Sequence, residues 1–181
     1  FSSGAGRPQR EVDILFEEAV AREPLYYQNY FAVAKDRMMR AGYGGPDPKT
    51  IAALAEDAVA RTRSSDGESM YARIYWLLYS RPENGPAFAA SSKEVWPRMK
   101  RGFEALVARY PDAWNLNHYA RFACLAGDDP TAAALIEEIS GRRSVDAWSE
   151  SSYSQCAVRT RAMREAIRQR KLAAPSGVRG T

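Results

Sequence analysis

The stretch Met99–Ser140, MKRGFEALVARYPDAWNLNHYARFACLAGDDPTAAALIEEIS, decides the fold. Met99, Phe103 and Leu106 recur at helical spacing until Tyr110-Pro111 interrupts them. Apolar residues three and four apart mark one face of an amphipathic helix, and a Pro placed after the last turn ends it. Asp112 opens a second helix that runs to about Ala126. Gly127-Asp128-Asp129-Pro130 then stops that helix and starts a third, which carries Ala132, Ile136 and Ile139 to about Ser140. Links this short put each helix beside its neighbour, as in a helix hairpin.

Upstream the same period continues. Val12, Leu15, Phe16, Ala19 and Val20 predict a helix from Glu11 that Pro24 closes. Pro24 also suits the first turn of the next helix, where a missing N–H costs nothing. Tyr26, Tyr27, Tyr30, Phe31, Val33 and Ala34 carry that second helix to about Arg40, and Ala41-Gly42-Tyr43-Gly44-Gly45-Pro46 stops it. Asp47-Pro48 opens a third, with Ile51, Leu54, Ala55, Ala58 and Val59 on one face. Ser64-Ser65-Asp66-Gly67 breaks it, with Ser65 and Glu68 as a capping pair. Met70, Tyr71, Ile74, Tyr75, Leu77 and Leu78 form a fourth, apolar round much of its circumference and therefore central.

Ser80–Ser92, with Pro82, Gly85 and Pro86, reads as the longest irregular segment, so the fifth helix is expected from about Lys93 to Tyr110. Downstream, a polar link through Gly141 and Ser144 leads to a last helix from about Glu150 to Leu172. Residues 1–10 read as a flexible lead-in, 11–172 as a single helical-repeat domain and 173–181 as a loose tail. No segment alternates with period two for long, so sheet is not expected. The fold class is all-α, an irregular solenoid of antiparallel helix hairpins with about seven to eight helices.

Two places echo a tetratricopeptide unit, in which a small residue and an aromatic on the second helix precede the Pro that begins the next unit. Phe16 precedes Pro24 by eight residues, with Val12 at the small position and Ala19 between, and Phe103 precedes Pro111 by the same eight, with Met99 and Leu106 in the matching places, so that Val12 and Met99 stand where Ala is expected. Gly127-Asp128 followed by Ala132, Ile136 and Ile139 is a third, partial match. Phe16 and Phe103 lie 87 residues apart. Two regular units would give ~68 and three ~102, so the array is irregular. Tyr71-Ala72-Arg73-Ile74-Tyr75-Trp76, Trp96, Met99, Gly102-Phe103, Tyr110-Pro111, Trp114-Asn115-Leu116-Asn117 and Ala120 to Asp128 together carry a wider likeness. Over Leu15 to Trp148 the chain resembles a bacterial tetratricopeptide-like helical family of unknown function, most specifically at Trp114 to Asp128. The resemblance implies a fold and brings no reaction, so it carries over no catalytic residue.

Composition narrows the function further. The chain has 181 residues, 45% apolar and 27% charged, as in a folded domain with a sizeable core. Net charge is +4, too mild to announce nucleic-acid binding, and no nucleic-acid partner is expected. No apolar run reaches the ~18 residues that a membrane span needs. Two Cys and one His exclude zinc fingers, Cys-ligated clusters and c-type haem attachment within this chain. Neither a metal nor a cofactor is expected. Arg outnumbers Lys 21 to 5, which fits GC-rich bacterial coding and says nothing of mechanism. The chain begins at Phe1 rather than Met, which is expected where a signal peptide or a further domain precedes it; the visible residues hold no h-region to decide between them.

Several side chains are candidates for function. Tyr26, Tyr27, Tyr30, Phe31, Tyr71, Tyr75, Trp76 and Tyr79 form a dense aromatic set, whose helix-spaced members belong to the core. Tyr26, Tyr30 and Tyr79 are the ones expected to stay exposed and grip a partner. His118 is the only imidazole and has no sequence neighbour that would make it part of a dyad, so a helix-surface or hydrogen-bonded core role fits it. Asn115 and Asn117 suit capping and helix–helix hydrogen bonds. Asp128-Asp129 suit a helix N-terminus. Glu17-Glu18 and Glu137-Glu138 are adjacent rather than facing and read as solvated faces. Gly42, Gly44 and Gly45 fit no phosphate loop, since no strand precedes them and no Gly-Lys-Ser/Thr follows.

Charge is uneven along the chain. Residues 156–181 carry seven basic groups against Glu165 alone, net +6, and leave −2 for the rest. Cys156, Met163 and Ile167 give this terminal helix an apolar stripe to dock by, with Arg161, Arg164 and Arg168 shown to solvent. Cys124 and Cys156 are an even pair that either cross-link the end of the array or stay as two buried thiols. A cross-link would favour a periplasmic or secreted setting over the cytoplasm. The function this supports is a non-enzymatic helical-repeat scaffold for protein–protein interaction, one form of which is an accessory subunit of a larger assembly. Two alternatives come from other classes. One is a small hydrolase on a helical frame, which needs His118 clustered with carboxylates; the other is an electrostatic adaptor that meets an acidic partner or an anionic lipid surface through the basic terminal helix.

Overall fold

The structure, a computed structural model, describes residues 7–41, 47–80 and 84–173. Nine α-helices occur among the described residues, and no strand: α1 (Gln9–Arg22), α2 (Gln28–Ala41), α3 (Pro48–Asp66), α4 (Ser69–Leu78), α5 (Gly85–Arg109), α6 (Ala113–Leu125), α7 (Asp129–Glu138), α8 (Glu150–Arg159) and α9 (Arg161–Ala173). The chain divides into two compact units, residues 1–86 and 87–181.

In the first unit α1 packs on α2, α2 on α3 and α4, and α3 on α4. The interior holds Phe16 and Val20 from α1, Val33 and Ala34 from α2, Ile51, Leu54, Ala55, Ala58 and Val59 from α3, and Met70, Ile74 and Leu78 from α4, with Tyr30 of α2 buried among them against expectation. Pro24 does not open α2 as expected. It sits in the turn between α1 and α2, where its carbonyl accepts the buried Tyr30 hydroxyl at 2.9 Å. A buried hydroxyl requires a partner, and that contact holds the turn. Asp47 caps α3 as its sequence suggests, accepting from the Lys49 amide at 3.3 Å and the Thr50 hydroxyl at 3.0 Å.

At its far end α3 runs through Ser64-Ser65 to Asp66, because Ser65 turns its hydroxyl back to the Thr62 carbonyl at 2.9 Å. Gly67, at φ 57°, then stops it. Ser65, expected to cap α4 with Glu68, lies inside α3 instead; the N-cap of α4 is Glu68, whose carboxylate pairs with Arg63 at 2.9 Å.

In the second unit α5 is longer than the sequence suggested. Its first turn begins at Gly85, within the segment read as irregular. Pro86 is harmless so near a helix start, where amides lack intrahelical partners anyway. One turn on, Phe88 is buried with its ring edge against Phe122, centroids 5.1 Å apart, which anchors the extension. Phe103 lies between Tyr119, stacked at 5.1 Å, and Phe122 at 5.7 Å, with Met99 and Leu106 buried beside it. Packing then runs α6 on α7, α7 on α8 and α9, and α8 on α9.

The single terminal helix expected over 150–172 is two helices, which lifts the count to nine. They part at Thr160, which is fully buried and whose hydroxyl donates to the Cys156 carbonyl at 2.9 Å. A Thr hydroxyl that bonds back one turn competes with the helix ladder and favours a bend. The expected lead-in falls outside the described residues up to residue 6, after which Pro8 already caps α1; of the expected tail, only Ala173 is described. The glycines at 42, 44 and 45 also lie outside the described residues.

Candidate functional site

The richest polar constellation surrounds the turn from α6 to α7. Gly127 reverses the chain at φ 74°, and the Asp128 amide returns to the Ala123 carbonyl at 2.9 Å. Asp128 then caps α7 through the Thr131 amide at 3.2 Å. The same carboxylate accepts from the Trp96 indole at 3.1 Å and the Lys100 ammonium at 2.9 Å, tying α5 to the start of α7. Burial pushes the Asp128 pKa up, but the hydrogen bonds from Lys100, Trp96 and Thr131 outweigh it and hold the carboxyl below its ordinary value. The acidic pair is therefore fully employed in capping and anchoring.

Next to this turn, Cys124 of α6 is disulfide-bonded to Cys156 of α8, with 6.1 Å between their Cα atoms. Arg159 lies one turn beyond Cys156 and reaches back over the bond. Its guanidinium donates to the Asp129 carboxylate at 2.7 Å, to the Cys124 carbonyl at 2.6 Å and to the Cys124 Sγ at 3.3 Å. Sequence reasoning did not single out Arg159. The available signal was its i, i+3 spacing from Cys156, which places both on one helix face.

Glu137, read as half of a solvated acidic pair, is instead nearly enclosed. It accepts from Arg164 at 3.3 Å and from Arg168 at 2.8 Å and 2.9 Å, and these two arginines hold its carboxyl below the usual range, with the Arg168 hydrogen bond the largest contribution. The expected orientation of the terminal helix is thus reversed in part: Arg164 and Arg168 face α7, while Met163 stays 43% exposed. Attraction to Glu137 outweighs burial of one Met side chain. Arg161 is exposed on α9 and forms no ion pair among the described residues.

Asn117 is fully buried in α6, and all its hydrogen-bonding capacity is used. It donates to the carbonyls of Ala113 at 2.7 Å and Arg142 at 2.9 Å, and accepts from the Ser144 amide at 3.0 Å and the Trp148 indole at 3.1 Å. This one side chain holds down the link between α7 and α8. Asn115, by contrast, works at the helix start with Asp112, at 2.7 Å.

His118 is buried, its ring edge-on to Trp114 with centroids 4.6 Å apart. Burial first, then the charge of Arg121, lowers its pKa from 6.5 to about 3. The imidazole is therefore neutral at pH 7. An unfolded chain takes up that proton below about pH 6.5 and the folded one only near pH 3, so acid favours unfolding throughout that interval. The thermal midpoint is expected to fall between about pH 6.5 and 5, and His118→Gln to flatten that fall, as measured by calorimetry at several pH values.

The aromatic candidates divide. Tyr26 is 54% exposed in the turn after α1. Tyr30, expected to be exposed, is fully buried, its ring edge-on to Phe16 with centroids 5.5 Å apart. The turn at Pro24 rotates α2 so that the ring fills the α1 contact. Tyr79 is half-buried at the end of a row in which Tyr71, Tyr75 and Tyr79 succeed one another at 4.8 Å and 6.4 Å. Tyr27 donates to the buried carboxylate of Asp66, a contact that no sequence spacing announced. The first unit also holds a cavity of about 230 Å³ lined by Phe16, Leu54 and Ala53, with Asp13, Glu17, Arg37 and Asp57 around it. Arg61 bridges Glu17 at 2.9 Å and Asp57 at 2.8 Å across α1 and α3.

No group of three or more His, Cys, Asp or Glu side chains among the described residues is placed to hold a metal ion, and no described helix is long and apolar enough to cross a membrane. No family model matches the chain, and neither does any curated protein or solved structure.

Proposed function

We propose that the chain is a helical-repeat scaffold that binds another protein, of the tetratricopeptide-like kind. The observation that carries this reading is a packing device present once in each unit. Phe16 and Phe103 each precede a Pro by eight residues, and each packs on a Tyr of the following helix, Tyr30 or Tyr119. Contacting helix pairs such as α2·α4 and α7·α9 are next-nearest in the chain, which is how stacked hairpins bury a shared core. Large side chains left open on this frame supply contact area: Tyr26 at 54%, Trp114 at 48% and Ile14 at 51% exposed. The Cys124–Cys156 bond favours an oxidising, periplasmic or secreted setting for the scaffold.

The test is affinity capture from the native source with the wild-type chain and with Tyr26→Ser and Trp114→Ser. A co-purifying protein whose recovery falls about tenfold with either variant, at unchanged circular dichroism, supports the reading. Equal recovery by all three chains counts against it. Binding that survives both substitutions but collapses between about 0.05 and 0.5 M salt moves the contact to the basic helix α9 and Arg161.

A further inference from the structure

We propose that the α8–α9 hairpin is a redox-released latch, in which reduction of Cys124–Cys156 frees residues 150–173 from α7 while α5–α7 stay folded. The argument begins with what the hairpin buries. In α8 the only buried residue is Cys156, and among the described residues of α9 there is none; α6 buries nine. Apolar burial is the main force holding an element to a fold, and among the described residues of this hairpin only Cys156 and Thr160 are buried.

Its side chains are tied to α7 by ion pairs: Arg159 to Asp129, and Arg164 and Arg168 to the nearly enclosed Glu137. The pairs of Arg159 and Arg168, whose guanidinium groups are about half exposed, weaken in salt. The covalent bond is the one attachment that reduction removes, and an element held by it and by few buried side chains opens separately from the core.

The surroundings of the bond favour its opening. Arg159 places its guanidinium 3.3 Å from the Cys124 Sγ, where it stabilises a thiolate once the bond is broken. Stabilising the reduced form shifts a disulfide toward reduction. Cys124 is also the less deeply buried residue of the two, at 9% exposed against 2% for Cys156. A dithiol reductant attacks there with one thiolate, and Cys156 leaves as a thiolate and takes up a proton. The second thiol of the reductant then displaces Cys124, closing the reductant's own disulfide. Two electrons pass to the protein, and two protein thiols result, that of Cys124 beside Arg159.

Hydrogen exchange read by mass spectrometry on the full chain tests this, with and without dithiothreitol and with free thiols counted. The expected result is that amides of 150–173 exchange about tenfold faster or more after reduction, while those of 113–138 keep their protection. Adding about 1 M NaCl is expected to speed 150–173 further in the reduced chain and to leave the oxidised chain unchanged. Cys156→Ser is expected to reproduce the release without reductant, and Arg159→Gln to demand several-fold more dithiothreitol for half-reduction. Unchanged protection of 150–173 after verified reduction overturns the proposal. So does loss of protection over 113–138 in step with it, or a bond that resists dithiothreitol in the folded chain.

Discussion

Phe103→Ala is expected to destabilise the second unit by about 3–5 kcal/mol, the range for truncating a fully enclosed aromatic. The ring has no exposed surface, stacks on Tyr119 at 5.1 Å and meets Phe122 at 5.7 Å. Removing it deletes apolar burial, two ring–ring contacts and the filler between α5 and α6, which are too firmly tied to close over the gap. Lys100 and Trp96, on the same helix, are bonded to Asp128 and resist such a shift. Urea unfolding measures the effect as a lower midpoint at unchanged slope. Phe103→Leu, which keeps most of the volume, is expected to cost on the order of 1 kcal/mol. A loss under about 1 kcal/mol for the Ala variant would show that Phe103 is not the packing aromatic between these helices.

Asn117→Leu is expected to cost about 3 kcal/mol for a different reason. Leu keeps the branched skeleton of Asn with two bulkier methyl groups at its end, so no cavity forms. What is lost is satisfaction of the Arg142 carbonyl, the Ser144 amide and the Trp148 indole, the last in a residue only 4% exposed. A buried donor or acceptor left unmade costs ~1–3 kcal/mol, and the link carrying these groups is short enough to recover only some of them from water. Two readouts separate this from general loosening. Trp148 fluorescence is expected to shift to the red, and amides of 140–148 to exchange faster than those of α5. An Asn117→Leu chain as stable as wild type would mean that the link between α7 and α8 is held by its apolar contacts alone.

The function of Asn117 was legible only in outline. An Asn two residues from a second Asn near a helix start suggests hydrogen bonding, but its partners at 142, 144 and 148 lie more than twenty residues away and outside its helix. The same holds for Glu137, whose arginines are 27 and 31 residues distant. Adjacent glutamates on a helix look solvated until a later helix crosses them. Tyr30 failed in the other direction: helical spacing alone left its face open, and the turn at Pro24 decided it.

What the amino-acid order determined by itself was the local structure. The 3.6-residue period, the caps at Asp47, Asp112 and Asp128, and the stops at Gly67 and Gly127 are short-range effects, and most helices begin and end within a few residues of where those signals fall. Helix starts near Pro86 and the break at Thr160 departed from it because packing there overrides propensity: Phe88 anchors an extra turn of α5, and buried Thr160 splits one helix into two. The pairing of Cys124 with Cys156, the reach of Arg159 back to Asp129 and the inward turn of Arg164 and Arg168 were decided by the tertiary structure alone. Contacts between distant residues depend on the angle at which α8 and α9 return across α7, and no local pattern encodes that angle.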